Sequence, residues 1–268
     1  MDLIALLPQL PFLHVNRKEL LRNTFKNSEY LDRILAEEPQ TIFIAYFLHK
    51  KANEIIQAST NSTSVASFVA GLPCNPALAI AAGSADLTQY FGFALNLAQQ
   101  LAYLFGEDEL FSGGDVNEQT KGRIVAYLGV MLSAGGAASL VVATSKKAAD
   151  VMGKRVATQA LTKTAWYPLL KKVASLIGVR ITKQTVDKAV TKIVPVIGGL
   201  FSAGITYFTF QPIGHRLADV FKKNLDGEYD IEMVIREELK SEGKTISADD
   251  ADYTFSNEVE PKDPSEHK

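Results

Sequence analysis

Apolar and polar positions recur along this chain with a helical period. The clearest case is Asp86–Phe105, where Leu87, Tyr90, Phe91, Ala94, Leu97, Ala98, Leu101, Leu104 and Phe105 follow the three–four spacing of one buried helix face. Ser84 is placed to cap this helix, Asp86 in its first turn suits the helix dipole, and Gly106 is placed to end it. Shorter amphipathic stretches predict helices over Arg17–Phe25, Tyr30–Glu38, Gln40–Ala58, Val179–Lys192 and Asp230–Lys240. Asn117 is placed to cap another. A basic helix follows Trp166, with Leu169, Leu170, Val173, Leu176 and Ile177 on its apolar side. No convincing strand pattern appears. The predicted fold is all-α, a single multi-helix bundle-like domain with two Gly/Ala-rich central helices and a disordered acidic C-terminal tail.

Two long runs depart from amphipathicity because they carry no charge: Ile124–Ser145 and Ile193–Phe210. The second would make about 27 Å of helix, near the lower limit for crossing a bilayer, and the first is longer. Both place small residues four apart. Gly129 with Ser133, Gly135 with Ser139, Gly198 with Ser202 and Gly199 with Ala203 predict close helix packing, and the two runs are expected to pack on each other. Insertion is driven chiefly by large apolar side chains, and Pro195 and the glycines dilute these. Two readings stay open: membrane-inserted helices, or the tight core of a soluble bundle. Beyond Pro212 a separate amphipathic helix is read over Gly214–Asn224. The uncharged stretch Ile55–Ala85 is broken by Gly71-Leu72-Pro73 and Asn75-Pro76, which predicts two short buried segments meeting at a turn.

Composition narrows this picture. The chain has 268 residues, 47% hydrophobic and 22% charged, ordinary for a globular protein. A net charge of −2 favours neither nucleic acid nor an acidic substrate. The single cysteine, Cys74, excludes a disulfide framework and fits a reducing compartment. Charge is nonetheless segregated. Between Lys146 and Lys192 the only acids are Asp150 and Asp187, whereas acids predominate from Asp226 onward. Residues 1–39 read as an N-terminal arm with short helices, 40–240 as the helical domain, and 241–268 as the acidic tail. The first residues carry Asp2, no early cation, and the breakers Pro8 and Pro11, so they do not read as a secretory signal. The expected location is the cytoplasm, free or at the inner face of the cell membrane.

Little reaction chemistry is legible. His14, His49, His215 and His267 form no metal-ligating pattern, and His49 reads as a solvated side chain. There is no Gly-x-Ser-x-Gly elbow and no dinucleotide fingerprint. Ser112-Gly113-Gly114-Asp115 has no Gly-Lys-Ser/Thr sequel and reads as a surface turn. No catalytic, cofactor or metal residue is assigned, and no nucleic-acid partner is expected. Two polar features remain. Asp86, Gln89, Asn96 and Gln99 form a candidate polar seam on the longest amphipathic helix. Trp166, Tyr167, Lys171 and Lys172 form an aromatic and basic cluster suited to an anionic lipid surface.

Two blocks carry a family resemblance. They are ADLTQYFGFALNLAQQLAYLFG, Ala85–Gly106, and the stretch Thr162–Phe221 that contains PVIGGLF and YPLLKKV. Together they resemble the EcsC family of bacterial helical proteins, in which an Ala-Asp-Leu helix ending in an aromatic and glycine precedes a Pro-Val-Ile-Gly-Gly run. The resemblance covers residues 40–225. It implies a bacterial cytosolic or peripheral membrane protein and carries over no catalytic residue. The family's namesake is associated with an ABC transporter. The expected function is therefore a non-enzymatic, membrane-associated helical protein, accessory to transport or acting at the envelope, with an unidentified protein partner. A soluble interaction or scaffold protein is the first alternative. The second is a lipid- or small-ligand-binding enzyme built on Asp86 and the glutamines.

Overall fold

A computed structural model of the chain describes residues 14–71, 92–111, 117–153, 166–173, 175 and 195–241. Every regular element among them is helical, in agreement with the periodicity. In chain order they are α1 (Arg17–Thr24), α2 (Leu31–Ala36), α3 (Pro39–Ile42), α4 (Ala45–Gly71), α5 (92–104), α6 (Glu118–Met131), α7 (Ala137–Ala143), α8 (Lys146–Met152), α9 (166–173), α10 (Pro195–Leu225) and α11 (Ile231–Ser241).

The long helices α4 and α10 pack along each other more extensively than any other pair. They run antiparallel. Near one end His49 Nε2 lies 2.9 Å from Asp219 Oδ1, and farther along Gly214 lies against Ile56. α5 joins at the same point. A Cβ on residue 214 would stand 2.9 Å from Ile56 Cγ1 and 3.0 Å from Leu97 Cδ2, so only a glycine lets the three helices approach this closely. Below that contact Ile213, Leu217 and Phe221 are buried. Phe221 stacks on Phe105, with ring centroids 5.6 Å apart, and meets Tyr127 edge-on at 5.5 Å. α6 and α7 form a hairpin against α10, and α11 covers α7.

Several expectations are corrected. The central run is not closed at Pro212, because α10 continues through it to Leu225. Pro212 is exposed and removes one helical donor, but buried Phe210, Ile213, Leu217 and Ala218 hold the helix on both sides of it. Conversely, Ile124–Ser145 is not one helix. α6 stops at Met131 in a Schellman motif: Ser133 N–H bonds Val130 O at 3.0 Å and Ala134 N–H bonds Gly129 O at 2.7 Å. Ser133 at φ 62° and Gly136 at φ 89° turn the chain back into α7. The helix predicted from Gln40 begins at Ala45, after a separate short turn that Pro39 opens at its first position. α4 then runs unbroken to Gly71 rather than stopping near Ala58. His49 is paired with Asp219 and is not simply solvated. Leu21, Phe25 and Ile34 of the N-terminal helices are buried in the same core as the helices that follow. The helix predicted over Val179–Lys192, the turn at Pro73–Pro76 and the tail 242–268 lie outside the described residues.

No helix among the described residues is long and apolar enough to cross a membrane. The crowding at residue 214 leads to a prediction. Gly214→Val should cost about 1–3 kcal/mol by overpacking. Gly135→Ala, which meets open space, should change stability by no more than about 0.5 kcal/mol. Urea unfolding of both variants checks this, and equal midpoints would contradict the close approach.

Candidate functional site

The most concentrated chemistry among the described residues lies where α5, α6 and α8 meet, and local sequence explains why it forms. α5 ends in a Schellman motif: Gly106 N–H bonds Tyr103 O at 3.2 Å and Glu107 N–H bonds Ala102 O at 2.9 Å. Gly106 takes φ 86°, and the Gln40 side-chain oxygen lies 1.7 Å from where its Cβ would stand. The left-handed φ favours glycine there, whereas the Gln40 side chain can swing aside. The turn aims Glu107 into the protein, where its side chain is only 6% exposed.

Glu107 Oε2 accepts from Arg123 at 2.7 Å and from the Lys146 backbone N–H at 3.1 Å. Arg123 lies on α6, and Lys146 opens α8. Ser145 caps the same helix end by accepting from Ala148 N–H at 3.1 Å. One carboxylate therefore neutralises a buried guanidinium and satisfies a free donor at a helix N-terminus. Lys146 Nζ reaches on to Glu38 Oε1 at 2.5 Å, and Arg17 holds the other oxygen of Glu38 at 2.6 Å. The Tyr103 hydroxyl accepts from the Leu110 N–H at 3.2 Å and donates to Gln99 Oε1 at 3.5 Å.

The electrostatics follow from burial. Burial pushes the Glu107 carboxyl above the ordinary carboxylate range, against the pull of Arg123 and the Lys146 N–H. Burial also raises the Tyr103 and Tyr127 hydroxyls. For Arg123 burial works against the charge, but Tyr127, Glu107 and Asp108 outweigh it and hold the proton more firmly. The cluster reads as an ionic clasp joining helix ends. Its carboxylate takes both bonds on Oε2 and is nearly closed to solvent.

The residues singled out from sequence divide. Trp166 is buried at 4% exposure among core side chains, so it is not a lipid contact. Leu169 and Val173 anchor the same face of α9 in the core. Tyr167, Lys171 and Lys172 stand on the opposite, exposed face. Lys171 Nζ lies 5.1 Å above the Tyr167 ring, and Lys172 Nζ donates to Gly135 O at 3.2 Å. Of the polar seam, Gln99 is fully buried: it donates to Leu95 O at 3.3 Å and accepts from Val15 N–H at 3.4 Å. Asn96 accepts from Gln100 at 2.7 Å. These two are engaged within the fold, while Asp86 and Gln89 lie outside the described residues.

Among the small residues, Gly129 does make a close contact, its Cβ position lying 2.8 Å from Ala137 Cβ and 3.3 Å from Leu169. That contact is within the α6–α7 hairpin rather than against the central run. Ser133 and Gly135 are exposed turn residues and do not pack helices, because the chain reverses there. Gly198, Gly199, Ser202 and Ala203 fall in α10, but their surroundings are outside the described side chains. The described bonds between α6 and α10 come from farther down α10, where Arg216 donates to Met131 O at 2.8 Å. An open cleft of about 540 Å³ lies between residues 23–28 and α4, floored by Phe25, Phe47 and Ile55. The charges at its rim, Lys51 and Glu54, are paired at 2.8 Å.

No family model, curated protein or solved structure matches the chain. Sequence reasoning missed the clasp because Glu107 and Arg123 are 16 positions apart and no short motif links them. Only the glycine after an aromatic helix end hinted that the chain turns inward there.

Removing one partner of such a buried pair leaves an uncompensated charge, which costs about 3–5 kcal/mol. Arg123→Met should therefore destabilise strongly. Adding Glu107→Leu to it should restore part of the loss, read as a positive coupling in a double-mutant cycle by urea unfolding. Additive losses would show that the pair is not coupled.

Proposed function

We propose that the chain is a non-enzymatic helical protein that docks peripherally on an anionic membrane surface, accessory to transport or to another activity of the bacterial envelope. The observation that supports this most is the outer face of α9. Trp166, Leu169 and Val173 lock one side of the helix into the core, and the other side holds out Tyr167, Lys171 and Lys172. An aromatic ring beside two ammonium groups on a rigid mount suits the boundary between lipid headgroups and water. The resemblance to EcsC proteins points the same way. The polar groups proposed for an enzyme site give no comparable support, since Gln99 and Asn96 are engaged within the fold.

A second reading, a protein–protein interaction surface, draws on a different patch. Ile44 and Tyr46 are 72% and 69% exposed around the start of α4, and Tyr30, 43% exposed, lies edge-on to Phe43 at 6.3 Å. Large apolar side chains grouped on a surface are a feature of partner contacts.

Co-sedimentation of the full chain with neutral and anionic vesicles separates the two. The membrane reading expects salt-sensitive binding to anionic vesicles only. Each lysine near such a surface contributes about 1 kcal/mol, so Lys171→Gln with Lys172→Gln should weaken binding roughly 25-fold. Urea midpoints should stay within about 0.5 kcal/mol of the parent because both side chains are exposed. Equal binding to neutral and anionic vesicles, or an unchanged affinity in the double variant, would refute the reading.

A further inference from the structure

The structure separates the basic block of the sequence into engaged and presented charges. Lys146 is held by Glu38, and Lys147 Nζ caps the end of α10 by donating to Asn224 O at 2.6 Å and Leu225 O at 3.3 Å. Lys171 and Lys172 are the cations of this block that the described residues present to solvent. Lys172 bonds Gly135 O, immediately before the start of α7. α11 packs on α7, and α11 leads the chain into its acidic segment. That segment carries Asp249, Asp250 and Asp252 close together. Asp249 is eight residues past Ser241, a reach of up to about 27 Å.

We propose that the acidic segment around Asp249–Asp252 docks on the Lys171–Lys172 face of α9 and competes there with anionic lipid. Lys171 and Lys172 are consecutive exposed cations on α9, and the carboxylates of Asp249, Asp250 and Asp252 follow α11 closely in the sequence. The carboxylates carry the same charge as a lipid phosphate and would occupy the same cations. Lys171 and Lys172 are exposed to solvent, so the contact weakens as salt shortens the screening length to about 8 Å at physiological ionic strength. The competition rests on the membrane-surface reading, whereas the docking does not.

The test uses the full chain and has two independent arms. In the first, a zero-length carbodiimide couples carboxylates to lysine amines, and the products are mapped by mass spectrometry. The expected result is Asp249–Asp252 joined to Lys171 or Lys172 in monomer-sized product at low salt, and not at high salt. Absence of those links at low salt, or links found only in dimer-sized product, would overturn the docking. In the second arm, Asp249→Asn, Asp250→Asn and Asp252→Asn are combined in the full chain and tested on anionic vesicles. Binding should tighten by about fivefold or more, given the worth of one surface cation released. Lys171→Gln with Lys172→Gln should erase the gain. An unchanged affinity would overturn the competition. If the amide variant also stays off vesicles, the membrane reading falls, and the coupling arm alone decides the docking.

Discussion

The fold depends on how closely α4 and α10 approach each other. Their antiparallel contact is extensive, and it narrows at Gly214, where Ile56 and Leu97 occupy the space a side chain would take. Close-packed interiors tolerate little volume change at such a point. The approach sets the position of α5, whose Leu97 shares the contact, and so the position of the helix end that carries Glu107. Farther along α10 the same geometry stacks Phe221 between Phe105 and Tyr127. α10 can run through Pro212 because packing on both sides of the ring offsets the one missing hydrogen bond.

Among the described residues, several charged side chains finish helices. Glu107 and Ser145 satisfy the start of α8, Arg216 caps the end of α6, and Lys147 caps the end of α10. Left unsatisfied, these terminal groups would be costly to bury. This accounting changes the meaning of the basic block. Among the described lysines of this run, Lys146 and Lys147 are held within the fold, whereas Lys171 and Lys172 stand on an exposed face of α9. The presented face carries the proposed function, and an acidic segment of the same chain is the candidate competitor for it.

Much of the helix content was legible in the sequence because it depends on near neighbours. The face of Ala94, Leu97, Ala98 and Leu101, the cap at Asn117 and the stop at Gly106 all follow from spacing and backbone preference within a few residues. The uncharged runs were harder. A stretch with no polar face has no period to reveal where it turns, so the reversal at Ser133–Gly136 was hidden inside Ile124–Ser145. A non-glycine residue at the left-handed position removed the usual signal. Of the polar seam, Gln99 bonds Leu95 and Val15 within the fold, a pairing that spacing along the chain does not reveal.

The sequence by itself determined the helical class, the positions of several helix ends and the separation of basic from acidic segments, because each is a property of local spacing or composition. Tertiary structure decided which of those charges are free. Trp166 and Tyr167 are adjacent in the chain, yet one is in the core and the other on the surface, because burial of a helical residue is set by what packs against each face. Glu107 and Arg123 became a buried pair only when two helix ends converged, and no local pattern encodes the distance between them.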